Sequence, residues 1–132
     1  MFLNRLNDVE KKAFLNLAHY IARSDNDFSQ SQQDIISTYC TEMQIDDIDF
    51  DKESFDLDET LNLVKNQKSR KIVMLEIMAL VYSDDYLHPA EKEVLDKMIE
   101  VFELNSNLSI IYTQWAKSML ALYIQGNALI EL

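Results

Sequence analysis

This chain is poor in the residues that build turns. Its 132 residues include one glycine, Gly126, and one proline, Pro89. β-Hairpin turns draw on glycine for positive φ, so a many-stranded fold would need several, whereas helices need few. The scarcity predicts an all-α protein. A single cysteine, Cys40, excludes an internal disulfide. It falls on the apolar stripe of a predicted helix, where a buried, inert thiol is a simpler reading than a redox role. Basic residues are scarce as well: 12 Lys and Arg stand against 23 Asp and Glu, giving a formal net charge of -11. A field of that sign repels phosphate backbones and anionic lipid surfaces, so neither nucleic acid nor membrane is an expected partner.

Long apolar runs are also missing. The stretch MFLNRLNDVEKK turns polar after three residues, unlike a secretion signal. The longest run, IVMLEIMALVY over 72–82, falls short of the roughly 20 residues a membrane span requires. A cytoplasmic location is expected. His19 and His88 are the only histidines, and with one cysteine they exclude a His- and Cys-based zinc set. The sequence shows no nucleophile elbow, no Gly-rich phosphate loop and no His–carboxylate pair at a useful spacing. No enzyme activity is expected.

Hydrophobic residues make up 48% of the chain, enough for one compact domain with a real core. Phe14, Leu17, Ala18 and Ile21 keep the i, i+3, i+4, i+7 spacing of one buried face, with Asn7 and Glu10 placed as a cap. They predict a first helix over about 7–23. Ile35, Ile36, Tyr39, Cys40 and Met43 predict a second, started by Ser29 and Gln32 and running to about 43. Residues 46–59, DDIDFDKESFDLDE, hold eight acids among fourteen positions, with Ile48, Phe50, Phe55 and Leu57 as apolar anchors of a linker. A short helix carrying Leu61, Leu63 and Val64 is expected to end in the basic patch KNQKSRK. The run 72–82 follows, apolar at every position but Glu76 and therefore central. Glu76 is expected to pair with Arg70 or Lys71, to reach the surface, or to titrate high. Pro89 suits the first turn of a helix whose inner face is Val94, Leu95, Met98, Ile99 and Phe102. A last helix, over about 106–125, is capped by Asn105 or Ser106, turns Ile111, Trp115, Met119 and Leu122 inward, and stops at Gly126.

The chain also repeats itself. Sliding one half over the other by 59 positions pairs Asp25 with Asp84 and Phe28 with Leu87. It also pairs the stripe Ile35, Ile36, Tyr39, Cys40, Met43 with Val94, Leu95, Met98, Ile99, Phe102. The expected architecture is a single-domain helical bundle of two repeated hairpins: one over about 7–45, the acidic linker 46–59, a second over about 69–104, and the last helix. Each hairpin bends at an acidic corner, RSDNDFSQSQ over 23–32 and YSDDYLHPAE over 82–91.

Those corners resemble the tellurite-resistance TerB family, whose fold is also seen in a domain of a DnaJ-like co-chaperone. The family pattern is an apolar helix, then Ala-x-x-Asp-Gly-x-(apolar)-x-x-x-Glu, then a second apolar-spaced helix, often given twice. Here Asp84, Leu87 and Glu91 keep the spacing, and Asp25 and Phe28 keep it in the first copy, while Gln32 replaces the acid. The family glycine is Asn26 in one copy and Asp85 in the other, residues that tolerate a left-handed backbone. The resemblance implies a small stress-response protein that binds a divalent cation through such corners. Calcium, magnesium or manganese would then meet Asp25, Asp27, Asp84, Asp85 and Glu91. Neither corner fits an EF-hand, since Gln30 and Pro89 hold the glycine position and Ile36 and Leu95 the final glutamate position.

The same residues have a purely structural use. Glu91, third in its helix, suits a cap, and Asp25, Asp27 and Asp84 suit turns in which the carboxylate bonds its own backbone. Two functional readings remain open. In one, the corners hold a divalent cation weakly; in the other, the acidic face around 46–59 makes the chain an adaptor for a basic protein partner. Nothing in the sequence fixes the oligomeric state.

Overall fold

The computed structural model describes residues 1–24, 28–84 and 87–132, and of Asp84 the backbone alone. The described residues form α1 (Asp8–Ala22), α2 (Gln30–Met43), α3 (Leu57–Asn62), α4 (Gln67–Val81), α5 (Pro89–Val101) and α6 (Ser106–Glu131). Short 3-10 turns stand at Leu3–Arg5 and Tyr82–Asp84, and there is no strand among the described residues. The all-helical expectation holds.

Most helix starts lie where the side-chain chemistry places them. Asn7 accepts the Glu10 N–H at 2.8 Å while the Glu10 carboxylate accepts the Asn7 N–H at 3.0 Å. Ser29 and Gln32 exchange the equivalent bonds, both at 3.1 Å. Each box satisfies two amides that the first helical turn leaves without partners. Pro89 opens α5, where its missing N–H costs nothing.

Two boundaries beside the acidic segment differ from expectation. The patch KNQKSRK does not end a short helix. Asn66 accepts the Ser69 N–H at 3.1 Å and starts α4 there, so Lys68, Arg70 and Lys71 lie in its first turns. The short helix α3 begins earlier, inside the acidic segment, because Asp56 caps the Glu59 N–H at 3.0 Å and Asp58 and Glu59 favour a helix N-terminus.

α4 packs against α1, α5 and α6, and buries Ile72, Val73, Met74, Ile77, Met78, Leu80 and Val81. That matches a helix apolar on nearly every side. α1 contributes Phe14, Leu17, Ala18 and Ile21, α2 contributes Ile36, Tyr39, Cys40 and Met43, and α5 contributes Val94, Leu95 and Met98. Phe14 meets Tyr39 edge to face at 5.1 Å, a favoured aromatic geometry.

Glu76 is buried, and its partner is neither Arg70 nor Lys71. Its Oε1 accepts the Phe2 N–H at 2.8 Å and lies 3.0 Å from the Met1 ammonium. Glu42 completes the clamp, accepting the Leu3 N–H at 2.8 Å and meeting the ammonium at 2.7 Å. A buried carboxylate is tolerated when a cation and backbone donors face it. Arg70 instead donates its Nε–H to the Val64 carbonyl at 2.7 Å and lies over the Phe102 ring.

α6 departs furthest from the sequence reading. Its one buried residue is Ala116, while Ile111 is 59% and Leu122 61% exposed. The face that meets the core is turned toward Tyr112, Trp115 and Ala116, with Phe2 against the Trp115 ring at 6.2 Å. The helix does not stop at Gly126 but continues to Glu131, and that glycine has no positive φ.

Candidate functional site

Asp25, Asp27 and Asp85 lie outside the described residues, as does the side chain of Asp84. Glu91, the remaining expected ligand, is buried, and its Oε1 accepts the His88 N–H at 3.0 Å. It therefore does the capping work its third-position placement allows. Among the described residues no cluster of three or more His, Cys, Asp or Glu side chains is placed to hold a metal.

The described flanks of the two corners nevertheless line one cavity. Arg23 and Ser24, at the end of α1, line the same cavity of about 230 Å³ as Ala90, Glu93 and Val94 of α5. Phe50 and Lys52 of the acidic segment close it. The segment is held on the body by its apolar anchors. Tyr20 stacks on Phe55 at 4.4 Å, Phe50 lies 5.6 Å from Phe55, and His19 stacks on Phe50 at 5.8 Å. Asp46, Asp47, Asp49, Asp51, Glu53, Asp56, Asp58 and Glu59 are all exposed, while Ile48, Phe50, Phe55 and Leu57 are half-buried. Inward apolar residues thus fix an outward row of charge.

A His–carboxylate pair is present here, contrary to expectation. His19 is buried on α1, and its Nε2 lies 2.8 Å from Asp47 Oδ1, which also accepts the Ile48 N–H at 2.8 Å. On the other side of the ring, Arg23 Nη2 lies 3.4 Å from Nδ1, so Nδ1 accepts and Nε2–H donates. Arg23 covers the Phe28 ring at 4.1 Å and the Phe50 ring at 5.4 Å, and its Nε is buried with no hydrogen-bond partner. The guanidinium therefore glues the corner to the segment by stacking.

The titration of this region follows from the same contacts. Burial alone would raise the Asp47 pKa, but the bonds from His19 and the Ile48 amide outweigh it and hold the carboxyl below its ordinary value. Burial, then the carboxylates of Asp47 and Asp46, push the Cys40 thiol up to about 11. A thiol so placed is a poor nucleophile, in keeping with its reading as inert. Sequence reasoning missed His19, Asp47 and Arg23 as a unit. The four-residue step from His19 to Arg23 was legible as one helix face, but Asp47 reaches them across 28 positions of chain.

No family model, curated protein or solved structure matches the chain.

Proposed function

We propose that this protein is a non-enzymatic adaptor that docks a basic protein segment along residues 46–59. The observation that carries this reading is the fixed row of eight exposed carboxylates. Charge repulsion would drive such a row apart in a free chain, and here Phe50 and Phe55 hold it against Tyr20 and His19. Within the described residues, its contacts to basic side chains are the His19–Asp47 hydrogen bond and the ion pair of Lys97 with Asp58 at 3.5 Å. Most of the row thus faces solvent, which favours a long-range, salt-sensitive encounter with Lys and Arg.

The test is a titration of the protein with a Lys/Arg-rich peptide, followed by amide chemical shifts at low and high salt. Saturable shifts along 46–59 that weaken with salt, and vanish in Asp49→Asn/Asp51→Asn/Glu53→Gln, support docking. Shifts elsewhere, or binding unchanged in that variant, sink it.

A second reading follows from the shared cavity between Ser24 and Ala90. There the chain is a TerB-like stress-response protein, one domain of two repeated hairpins, binding a divalent cation weakly between its corners. Caps matched across 59 positions support the repeat: Ser24 and Ser83 each donate to a carbonyl three residues back at 2.7 Å. Calcium, magnesium or manganese should then raise the melting temperature of the wild type and not of Asp84→Asn. If neither protein responds, the adaptor reading stands alone.

A further inference from the structure

We propose that the second half of α6 pairs with the same segment of a second copy of this chain, the two helices crossing at Gly126. This inference concerns a different surface from residues 46–59 and does not depend on the docking reading.

Gly126 is the starting observation. A helix-interior glycine is unfavourable relative to alanine, and it persists where something needs the missing side chain. Nothing among the described residues does: a Cβ built at Gly126 meets none of their atoms within 4 Å, and the residue has no positive φ. Its surface neighbours at three and four residues are Leu122, Tyr123, Leu129 and Ile130, which are 61, 70, 69 and 80% exposed. A hole ringed by four large apolar side chains is the shape that accepts another helix at close approach.

Two further features point to a copy of the chain as the occupant. The first is charge. The protein carries -11, yet residues 118–130 contain no Asp, Glu, Lys or Arg. A charged partner finds no complement on this segment, whereas two copies of the segment can pair without bringing like charges together across the two helices. The second is area. The four ring residues leave on the order of 100–150 Å² each, so a symmetric pair buries on the order of 1,000 Å², the threshold of a specific interface. A crossing centred on one glycine is also self-complementary, as a two-fold interface must be.

Sedimentation equilibrium of the full chain tests this, with Gly126→Ala and Leu122→Glu/Leu129→Glu beside the wild type. The wild type should be dimeric by about 100 µM, with an affinity little changed by salt. The double Glu variant should be monomeric with the fold intact by circular dichroism. Gly126→Ala removes a helix defect without touching any atom of the described residues, so its melting temperature at monomeric concentrations should not fall, while its dimer weakens about tenfold or more. Opposite signs on folding and association separate pairing from a general loss of structure. A wild type that stays monomeric, a dimer that survives the double Glu variant, or capture of a monomeric wild type by neutral phosphatidylcholine vesicles would overturn the proposal.

Discussion

Gln44 and Glu103 stand 59 positions apart and share the left-handed backbone region, with φ of 57° and 55°. They sit at equivalent bends. The Ile45 N–H returns to the Cys40 carbonyl at 3.2 Å, and the Leu104 N–H to the Ile99 carbonyl at 3.1 Å, the long bond that closes a helix end. Glycine is at ease in that region and a side chain is not. Replacing either residue by glycine should therefore stabilise the protein by about 0.5–1 kcal/mol, the relief of backbone strain less the extra entropy of the unfolded chain. Thermal denaturation of the two single variants checks this, and a lowered melting temperature in both counts against it.

The clamp of Glu42 and Glu76 on the Met1 ammonium makes a second prediction. Burial alone would lower the pKa of that amine, but the hydrogen bonds it donates to the carboxylates of Glu42 and Glu76 carry it above its ordinary 8.0. A group whose folded pKa is raised contributes stability below its unfolded pKa and loses it as pH rises through the folded value. Wild-type stability should thus decline above about pH 8. The decline should be modest because the residue is half-exposed, and N-acetylation should abolish it. Glu76→Gln, which weakens a buried acceptor of a backbone N–H, should cost about 1–3 kcal/mol by urea denaturation. A cost indistinguishable from zero would mean the carboxylate is not engaged.

Asp47 gives the opposite sign. Its folded pKa lies below the ordinary 3.8, so its contribution is present above that value and fades as pH falls through the folded pKa. The stability gap between wild type and Asp47→Asn should be widest near neutrality and close below about pH 4. Urea midpoints at a series of pH values measure it. A gap independent of pH would show that the charge on Asp47 contributes nothing.

Local chemistry was the most legible part of this sequence. Asn7 with Glu10, Ser29 with Gln32, and Pro89 announce three helix starts because a cap is decided within four residues. The inner stripes of α1, α2 and α5 follow from spacing alone. What failed was decided at long range. The sequence does not say that Glu76 meets the Met1 ammonium, or that Asp47 meets His19, because both pairs are made by tertiary packing. α6 misled for a related reason. Its apolar residues cover most of its circumference, so spacing cannot choose which face meets α4, and the intrinsic weakness of Gly126 in a helix reads as a stop. For the acidic segment, the alternation of anchors and charges was readable, but the surface it lies on was not.

That alternation allows charge and geometry to be separated in a last prediction. Phe50 stacks on His19, approaches Phe55 and lies under Arg23, yet carries no charge itself. Phe50→Ala leaves all eight carboxylates of residues 46–59 in place and removes the anchor that fixes them. If the row acts as a preorganised surface, the variant should bind a Lys/Arg-rich peptide about tenfold more weakly, because ordering the loosened segment then opposes binding. The salt dependence should stay the same, since the number of charges is unchanged. Losing the partly buried ring should cost the fold about 1–2 kcal/mol, below the range for a fully buried phenylalanine. Calorimetric titration at two salt concentrations, run well below the melting temperature of the variant, reads both quantities. Wild-type affinity in Phe50→Ala would show that net charge alone recruits the peptide and that the fixed geometry of the segment plays no part.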